Sequence, residues 1–470
     1  MRILCLPIDS RPCNTQFIRR LTAWAGHELV LPRKEEMDDF RCPAPYAGSF
    51  AFIKRELPRC GAAVISLDHW CYGSLLASRE DTVSEEEALE RVETLKALLR
   101  DHREIPVYMS SVILRSTISA FSQKDMTAYQ AMIDYSVACD RLERFGLTED
   151  QVAMEKAEAM IPEKVLKKAL AARRRNLRIN LAAVDMAAEG LAASLSVLQE
   201  DCQLYGLPRK DQRAIEQRIR ESGASNVFLR NGTDEAGALS AAAAIQAGRE
   251  KLPVEIRYWG NADFIAPFED RLFRENMERA CREAGILSMD GSQTVICVCC
   301  PEEGSQGASL PCQRQYAAWA DGLVQDGKRV YLLDLIAPNG GSIGLVESLK
   351  EADGLWGYSA WNTASNAMGT MLSQVITDAQ RGQPNLPYFQ ERLLDDWLYQ
   401  SVIRPQLTEK LEAAGENIYD LADKQRAETL LRALYEKEVP VRWPLSSLPR
   451  CAVSLPWNRI FEAAVSVEEN

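Results

Sequence analysis

The chain has 470 residues, of which 46% are hydrophobic and 26% are charged, as is typical of a globular protein with a large buried core. Its formal net charge of −12 disfavours nucleic-acid binding, because proteins that bind the phosphate backbone need a basic surface. No run approaches the roughly 18 apolar residues of a membrane span, and the thirteen cysteines follow no disulfide pattern. We therefore expect a cytoplasmic protein with reduced thiols that binds neither nucleic acid nor a membrane. The oligomeric state is left open.

Short apolar segments recur along the chain, each followed by polar or glycine-containing residues and then by a helical pattern. Strands are predicted at Ile3–Ile8, Glu28–Leu31, Ala63–Leu67, Pro106–Ile113, Leu195–Gln199, Asn226–Arg230, Val254–Tyr258, Thr294–Val298, Arg329–Asp334 and Leu355–Ser359. The repeated order of strand and helix predicts an α/β fold with a mostly parallel sheet. We expect a (β/α)-barrel-like sheet with an extra βα unit. Two doubly wound α/β domains are the alternative, since ten strands exceed the eight of a plain barrel.

The predicted domain organisation has one main domain and a C-terminal region. The α/β domain is expected over residues 1–380, with a charged, helix-forming insertion at about 126–190. Residues 381–470 are predicted to be helical and to end in a short β-like tail that packs on the main domain. The closely spaced Cys297, Cys299 and Cys300 fall in an apolar β-like run, where we expect buried thiols rather than zinc ligands.

Polar residues follow most of the predicted strands, at the ends where ligands bind in parallel α/β folds. The candidate substrate-binding residues are Asp9, Arg11, Asn14, Asp68, Tyr72 and Arg115 in the first part of the chain, and Asp334, Asn339, Trp361, Asn362 and Asn366 further on. Aromatic faces and asparagine amides suit the rings and paired hydroxyls of a sugar. Helix capping or core packing is the alternative for each of them.

Two adjacent acidic pairs also follow predicted strands, Glu200–Asp201 and Asp234–Glu235. Carboxyl groups whose environments separate their pKa values can divide the roles of proton donor and charged group, as in glycosidic-bond cleavage. We rank Asp201 first, as the general acid, with Glu200 orienting the substrate or an attacking group. Asp68 and Asp234 or Glu235 are the candidates for the second carboxylate or for ligands of the sugar hydroxyls, although Asp234 can also be explained as the N-cap of the following helix.

Seven segments in this order resemble the bacterial domain-of-unknown-function family 4127. They are LPIDSRPCN, SLDHWCYGSLLASR, QEDCQLYGLP, GTDEAG, PNGG, WNTASNAMGT and LPWNRIFE, and they extend over nearly the whole chain. The family's pattern has an acidic residue at the position of Ser10, a glycine at that of Ser74 and two aspartates at Glu200–Asp201. The resemblance implies a single full-length unit, and it implies no activity.

The leading functional hypothesis is a carbohydrate-active hydrolase, a glycosidase that acts on a small saccharide without a cofactor. One alternative is an enzyme with Mg²⁺ or Mn²⁺ bound by carboxylates, such as a phosphohydrolase or a sugar isomerase, with Asp9, Asp68, Asp201 and Asp334 as ligands. The other alternative is a sugar-binding protein without catalytic activity.

Overall fold

The computed structural model describes residues 1–119 and 125–468. The chain divides into two compact units. Unit 1 comprises Met1–Arg19, His27–Ala244 and Phe268–Arg271, and unit 2 comprises Arg20–Gly26, Ile245–Pro267 and the chain from Leu272 onward. Each unit contains a parallel sheet, so the predicted α/β fold with mostly parallel strands is confirmed. The range 1–380, expected to be one domain, contains both sheets.

The sheet of unit 1 has six parallel strands in the order β2-β1-β3-β4-β5-β6 among the described residues. These are β1 (Arg2–Leu6), β2 (Glu28–Val30), β3 (Ala62–Ser66), β4 (Val107–Ile113), β5 (Ser194–Gln199) and β6 (Val227–Asn231). The helices up to the end of this unit are α1 (Gln16–Trp24), α2 (Tyr46–Glu56), α3 (Leu67–Tyr72), α4 (Leu75–Ser78), α5 (Glu85–Arg100), α6 (Met126–Phe145), α7 (Thr148–Ala159), α8 (Glu163–Ala188), α9 (Leu207–Ser222) and α10 (Ala236–Gln246). Helices α6 to α8 lie between β4 and β5, which confirms the predicted helical insertion.

Local sequence explains these elements well. Every residue of β3, β4 and β5 is buried, as expected for parallel strands that are covered on both faces. Helix α5 begins after Ser84, whose hydroxyl accepts a hydrogen bond from the amide of Glu87 at 3.1 Å. Its buried residues recur at helical spacing and pack in the core of unit 1.

The carboxyl ends of the unit 1 strands converge. Ile8, Val112, Leu198 and Ala236, which follow or end β1, β4, β5 and β6, belong to one apolar cluster. In a flat sheet, β1 and β6 would lie about 19 Å apart, four strand spacings of roughly 4.8 Å. The sheet therefore curves, and this curvature brings the polar residues beyond the strand ends towards one another.

The sheet of unit 2 has five parallel strands in the order β11-β10-β9-β7-β8 in the described structure. These are β7 (Leu252–Trp259), β8 (Ile286–Ser288), β9 (Thr294–Cys299), β10 (Arg329–Asp334) and β11 (Leu355–Ser359), and an antiparallel hairpin follows with β12 (Cys451–Ser454) and β13 (Ala464–Val467). The helices are α11 (Phe273–Ala284), α12 (Leu310–Gln325), α13 (Ile343–Val346), α14 (Ala364–Arg381), α15 (Leu386–Arg392), a π-helix at Leu393–Ile403, α16 (Arg404–Ala413) and α17 (Lys424–Arg442). The hairpin packs in the core of this unit with the helices from α15 onward.

The expected barrel is not confirmed, since the strands form two separate sheets, as in the alternative interpretation. The thiols of Cys297 and Cys299 are buried in β9, and that of Cys300 is buried directly after it, as predicted. In the part of the chain that the structure describes, no helix has the length and apolar character needed to cross a membrane.

Candidate functional site

The fifteen residues predicted to form one site are divided between the two units. Unit 1 contains Asp9, Arg11, Asn14, Asp68, Tyr72, Arg115, Glu200, Asp201, Asp234 and Glu235, and unit 2 contains Asp334, Asn339, Trp361, Asn362 and Asn366. In each unit these residues lie at or beyond the carboxyl ends of that unit's own strands, with the exception of Tyr72 at the end of α3 and Asn366 in the first turn of α14.

In unit 1, Arg11 joins the carboxylates of Asp9 and Asp234. Its Nη2 lies 2.7 Å from Asp9 Oδ2, and its Nη1 donates to Asp234 Oδ2 at 3.0 Å. Asn14 Nδ2 donates to Asp9 Oδ1 at 2.8 Å, and all of these side chains are buried. Burial raises the pKa of Asp9, but the charge and hydrogen bonds of Arg11 outweigh it, so the pKa lies below its ordinary value. This arrangement holds Asp9 and Asp234 as buried partners of a cation.

Glu235 is also engaged in a buried ion pair. Its partner is Arg230 of β6, and neither side chain is exposed to solvent. The second carboxylate oxygen of Glu235 accepts a hydrogen bond from the amide of Thr233 at 2.8 Å. Gly232 has a φ of 120°, and a Cβ there would overlap the carboxylate of Glu235, so the loop requires glycine. These contacts indicate that Glu235 stabilises the loop after β6.

A second group of charged residues lies beyond β3, β4 and β5, and we call it the acid–arginine cluster. It consists of Asp68, Arg79, Arg115, Glu200 and Asp201. Arg79 forms an ion pair with Glu200, and Arg115 Nη1 lies 3.6 Å from Asp201 Oδ2. The Asp201 side chain is 33% exposed, whereas the side chains of Arg79, Arg115 and Glu200 are exposed by 13% or less. Asp201 is therefore the most accessible of these four side chains.

Neighbouring elements hold the cluster in place. The amide of Ser116 donates to the carbonyl of Asp201 at 3.2 Å, which ties the ends of β4 and β5 together. Arg173 of α8 donates to the carbonyl of Arg115 and pairs with Asp211 of α9, with 2.7 Å between Nη1 and Oδ2. The helical insertion therefore positions Arg115. On the other side, the amide of Val112 donates to Asp68 Oδ2 at 2.9 Å.

The surroundings of the cluster shift the pKa values of Asp68, Asp201 and Arg79 away from their ordinary values. Burial raises the pKa of Asp68 to about 7, and the charge of Glu200 adds to the effect. Loss of solvent also raises the pKa of Asp201; Glu200 adds to this shift, and Arg115 and Arg79 oppose it. The pKa of Arg79 is lowered by burial and by the charge of Arg115, so the two guanidinium groups repel each other.

Arg79 is the member of the cluster that the predicted site lacks. It follows α4, thirteen residues after the end of β3, and it reaches the strand ends through its pairing with Glu200. Tyr72, by contrast, was predicted to bind substrate and is buried in unit 1. The guanidinium carbon of Arg175 lies 4.2 Å from the centre of its ring, so the ring packs against a cation of the helical insertion.

In unit 2, the predicted residues are tied to the backbone of the strand ends. Asp334 accepts hydrogen bonds from the amide of Ser342 at 2.6 Å and from the hydroxyl of Tyr358 at 3.0 Å. Asn339 and Asn362 have left-handed backbone conformations, with φ of 61° and 64°. The amide of Asn339 donates to the carbonyl of Asn362 at 2.9 Å, so the loops after β10 and β11 support each other.

The π-helix of unit 2 fixes the same strand ends. Asp396 Oδ2 accepts from the amide of Ala360 at 2.9 Å, and its Oδ1 accepts from Arg392 Nη1 at 2.7 Å. Its carbonyl accepts from the amide of Gly341 at 2.8 Å. Trp361 and Asn366 are buried. The sequence predicts a helix here, but it does not predict that the carboxylate of Asp396 binds the backbone at the end of β11.

Among the described residues, no group of three or more histidine, cysteine, aspartate or glutamate side chains has the arrangement of a metal site. Of the four aspartates considered as metal ligands, Asp9 is bound by Arg11 and Asn14, and Asp334 accepts hydrogen bonds from Ser342 and Tyr358.

The fold and these strand ends define an α/β protein with two parallel sheets and a charged, partly accessible cluster at the carboxyl edge of the first. The chain belongs to the family described as Protein of unknown function (DUF4127), whose model matches residues 3–466. The resemblance noted from the sequence motifs is thereby confirmed. No curated protein and no solved structure matches the chain.

Proposed function

We propose that the acid–arginine cluster is the active site of a glycosidase that hydrolyses a small saccharide. The observation that carries the proposal is the contrast between two adjacent carboxyl groups. Asp201 is partly exposed and has a raised pKa, whereas Glu200 is buried in an ion pair with Arg79. Two carboxyl groups with different roles are what glycosidic-bond cleavage requires.

Asp201 is the general acid of this proposal. A general acid must retain a proton and must reach the leaving oxygen; the raised pKa of Asp201 favours the first and its partial exposure favours the second. As the bond between the anomeric carbon and the leaving oxygen breaks, the proton of Asp201 passes to that oxygen. A water molecule then supplies hydroxide to the anomeric carbon, and its proton passes to a carboxylate.

Glu200 and Asp68 are the candidates for the second role. The glycosidic transition state carries positive charge on the sugar ring, and a fixed carboxylate beside it is stabilising. Glu200 is fixed by Arg79, and the charges of Glu200 and Asp68 interact. The pKa of Asp68, about 7, suits a group that exchanges a proton near neutral pH.

The test is a screen of nitrophenyl monosaccharide glycosides with the wild type and Asp201→Asn. We expect Asp201→Asn to lower kcat by at least about 100-fold, the range of general-acid catalysis. The loss should be much smaller for dinitrophenyl glycosides, whose leaving groups need little protonation. Asp185→Asn is the matched control, because Asp185 is 36% exposed in unit 1 and also pairs with an arginine, Arg218.

Two results would contradict the proposal. One is an absence of turnover for every glycoside, including the activated ones, by protein that is folded. The other is turnover that EDTA abolishes, because the proposed reaction uses only groups of the chain. Saturable sugar binding without turnover would instead favour the sugar-binding alternative.

A further inference from the structure

Arg79 and Arg115 have hydrogen-bond donors that their contacts within the described part of the protein do not use. Arg79 Nη2 binds Glu200, and its Nη1 reaches Ser119 Oγ only at 3.4 Å. Arg115 Nη2 donates to the carbonyl of Ile118 at 2.8 Å, and its Nη1 is 3.6 Å from Asp201, beyond hydrogen-bond distance. Each guanidinium has five N–H groups, so both retain donors beyond these contacts.

Among the described residues, buried polar atoms without partners lie on Arg79, on Arg115 and the two residues that follow it, and on Glu200. Arg79 Nε and Arg115 Nε have no hydrogen-bond acceptor within the described structure, and neither do the hydroxyls of Ser116 and Thr117. Buried donors are paired in most proteins, and a group of them at one strand end calls for an explanation. A ligand with several acceptor oxygens would provide one.

The charges of the cluster lead to the same conclusion. The two guanidinium groups repel each other, and Glu200 is the carboxylate paired directly with one of them. Arginine pairs are suited to the planar oxygens of carboxylate and to phosphate.

We infer that Arg79 and Arg115 bind one anionic group carried by the substrate, so that the substrate is an acidic saccharide, either a uronic acid or a sugar phosphate. That the bound anion belongs to a substrate rests on the proposed function. The anion site itself rests on the donors of Arg79 and Arg115 that have no acceptor among the described residues. The anionic group lies near Asp201, since Arg115 Nη1 is 3.6 Å from Asp201 Oδ2. Recognition of the charge therefore places the glycosidic bond next to the general acid.

Binding measured by calorimetry separates this inference from the proposed reaction. The ligands are D-glucuronate, glucose 6-phosphate and D-glucose, added to the wild type and to Arg115→Gln, Arg115→Lys and Arg103→Gln. We expect at least one acidic sugar to bind at least tenfold more tightly than glucose, with binding weakened by salt. The preference should fall about tenfold in Arg115→Gln and recover partly in Arg115→Lys. Arg103 is an exposed arginine of unit 1 without an ion pair among the described residues, so Arg103→Gln should leave the preference unchanged.

The two acidic sugars distinguish a carboxylate from a phosphate as the recognised group. Equal affinity for glucose and both acidic sugars would overturn the inference, as would a preference that persists in Arg115→Gln. Circular dichroism shows whether the variants fold. If Arg115→Gln does not fold, Arg79→Gln/Glu200→Gln, which removes one charge of each sign, tests the Arg79 half of the proposed anion site, and the preference for acidic sugars should fall in it as well. Acidic sugars that bind without turnover of any glycoside would overturn the proposed function and support the anion site. Neutral glycosides hydrolysed as fast as acidic ones would support the function and overturn the inference.

Discussion

Arg11 and Asp234 are 223 residues apart in the chain and form a buried ion pair, in which Arg11 Nη1 lies 3.0 Å from Asp234 Oδ2. Arg11 follows β1 and Asp234 follows β6, and three strands separate β1 from β6 in the sheet. The pair can form only because the sheet curves. It therefore connects the two sides of the curved sheet beyond the strand ends.

Removal of Arg11 should destabilise the protein strongly. Arg11→Met leaves Asp9 and Asp234 buried without their cation, and the loss of one partner from such a group lowers the free energy of unfolding by about 3–5 kcal/mol. Urea denaturation followed by circular dichroism measures the change. Lys167→Met is the control, because it breaks an exposed ion pair with Glu163 and should change stability little. Equal effects of the two substitutions would show that the buried group does not stabilise the fold.

Asp68 should make stability fall as the pH rises. Its pKa in the folded protein is about 7, above the ordinary value of about 4, so the folded state holds its proton more tightly than the unfolded state. The stability that this provides is complete below pH 4 and is lost as the pH rises towards 7. Asparagine has no carboxyl proton, so Asp68→Asn removes this dependence of stability on pH. Between pH 5 and pH 8 the free energy of unfolding of the variant should therefore gain about 2–3 kcal/mol relative to the wild type.

Denaturation of both proteins at the two pH values measures this difference. The comparison with the variant is needed because other buried carboxyl groups, such as Asp38 with a pKa of about 8, titrate in the same range. A difference between the proteins that is constant from pH 5 to pH 8 would show that Asp68 is ionised normally.

The sequence predicted the features that depend on local pattern and left open those that depend on distant contacts. Strand positions and the polar residues after them follow from apolar runs and their ends, so Glu200 and Asp201 were identified. The partner of Glu200 is Arg79, 121 residues away, and no local pattern indicates that pairing. The same holds for the assignment of strands to two sheets, because the order of strands in a sheet is set by tertiary packing. The π-helix of Leu393–Ile403 has the apolar periodicity of an ordinary helix, and its wider turns are not evident from that pattern.

Cys42 should be the thiol that reacts fastest in the native protein. It is the one exposed cysteine among the described residues, whereas burial raises the pKa of Cys297 and Cys300 to about 12. The thiolate is the reactive form, so both buried thiols should react only after unfolding. Labelling with iodoacetamide and mass spectrometry measures the order of modification. In Cys42→Ser the fast phase should disappear, and rapid labelling of Cys297 in the native variant would contradict the burial of β9.

Asn339 should tolerate glycine better than a β-branched residue. Its φ of 61° lies in the left-handed region, which costs an ordinary L-residue about 1–2 kcal/mol and costs glycine little. Asn339→Val should therefore lower the free energy of unfolding by about 1–2 kcal/mol, and Asn339→Gly by less than about 0.5 kcal/mol. Urea denaturation of the two variants provides the comparison. If both lose the same stability, the side chain of Asn339, rather than its backbone conformation, is what supports the loop after β10. The distinction matters for unit 2, because the amide of Asn339 also binds the carbonyl of Asn362 and so connects the loops after β10 and β11.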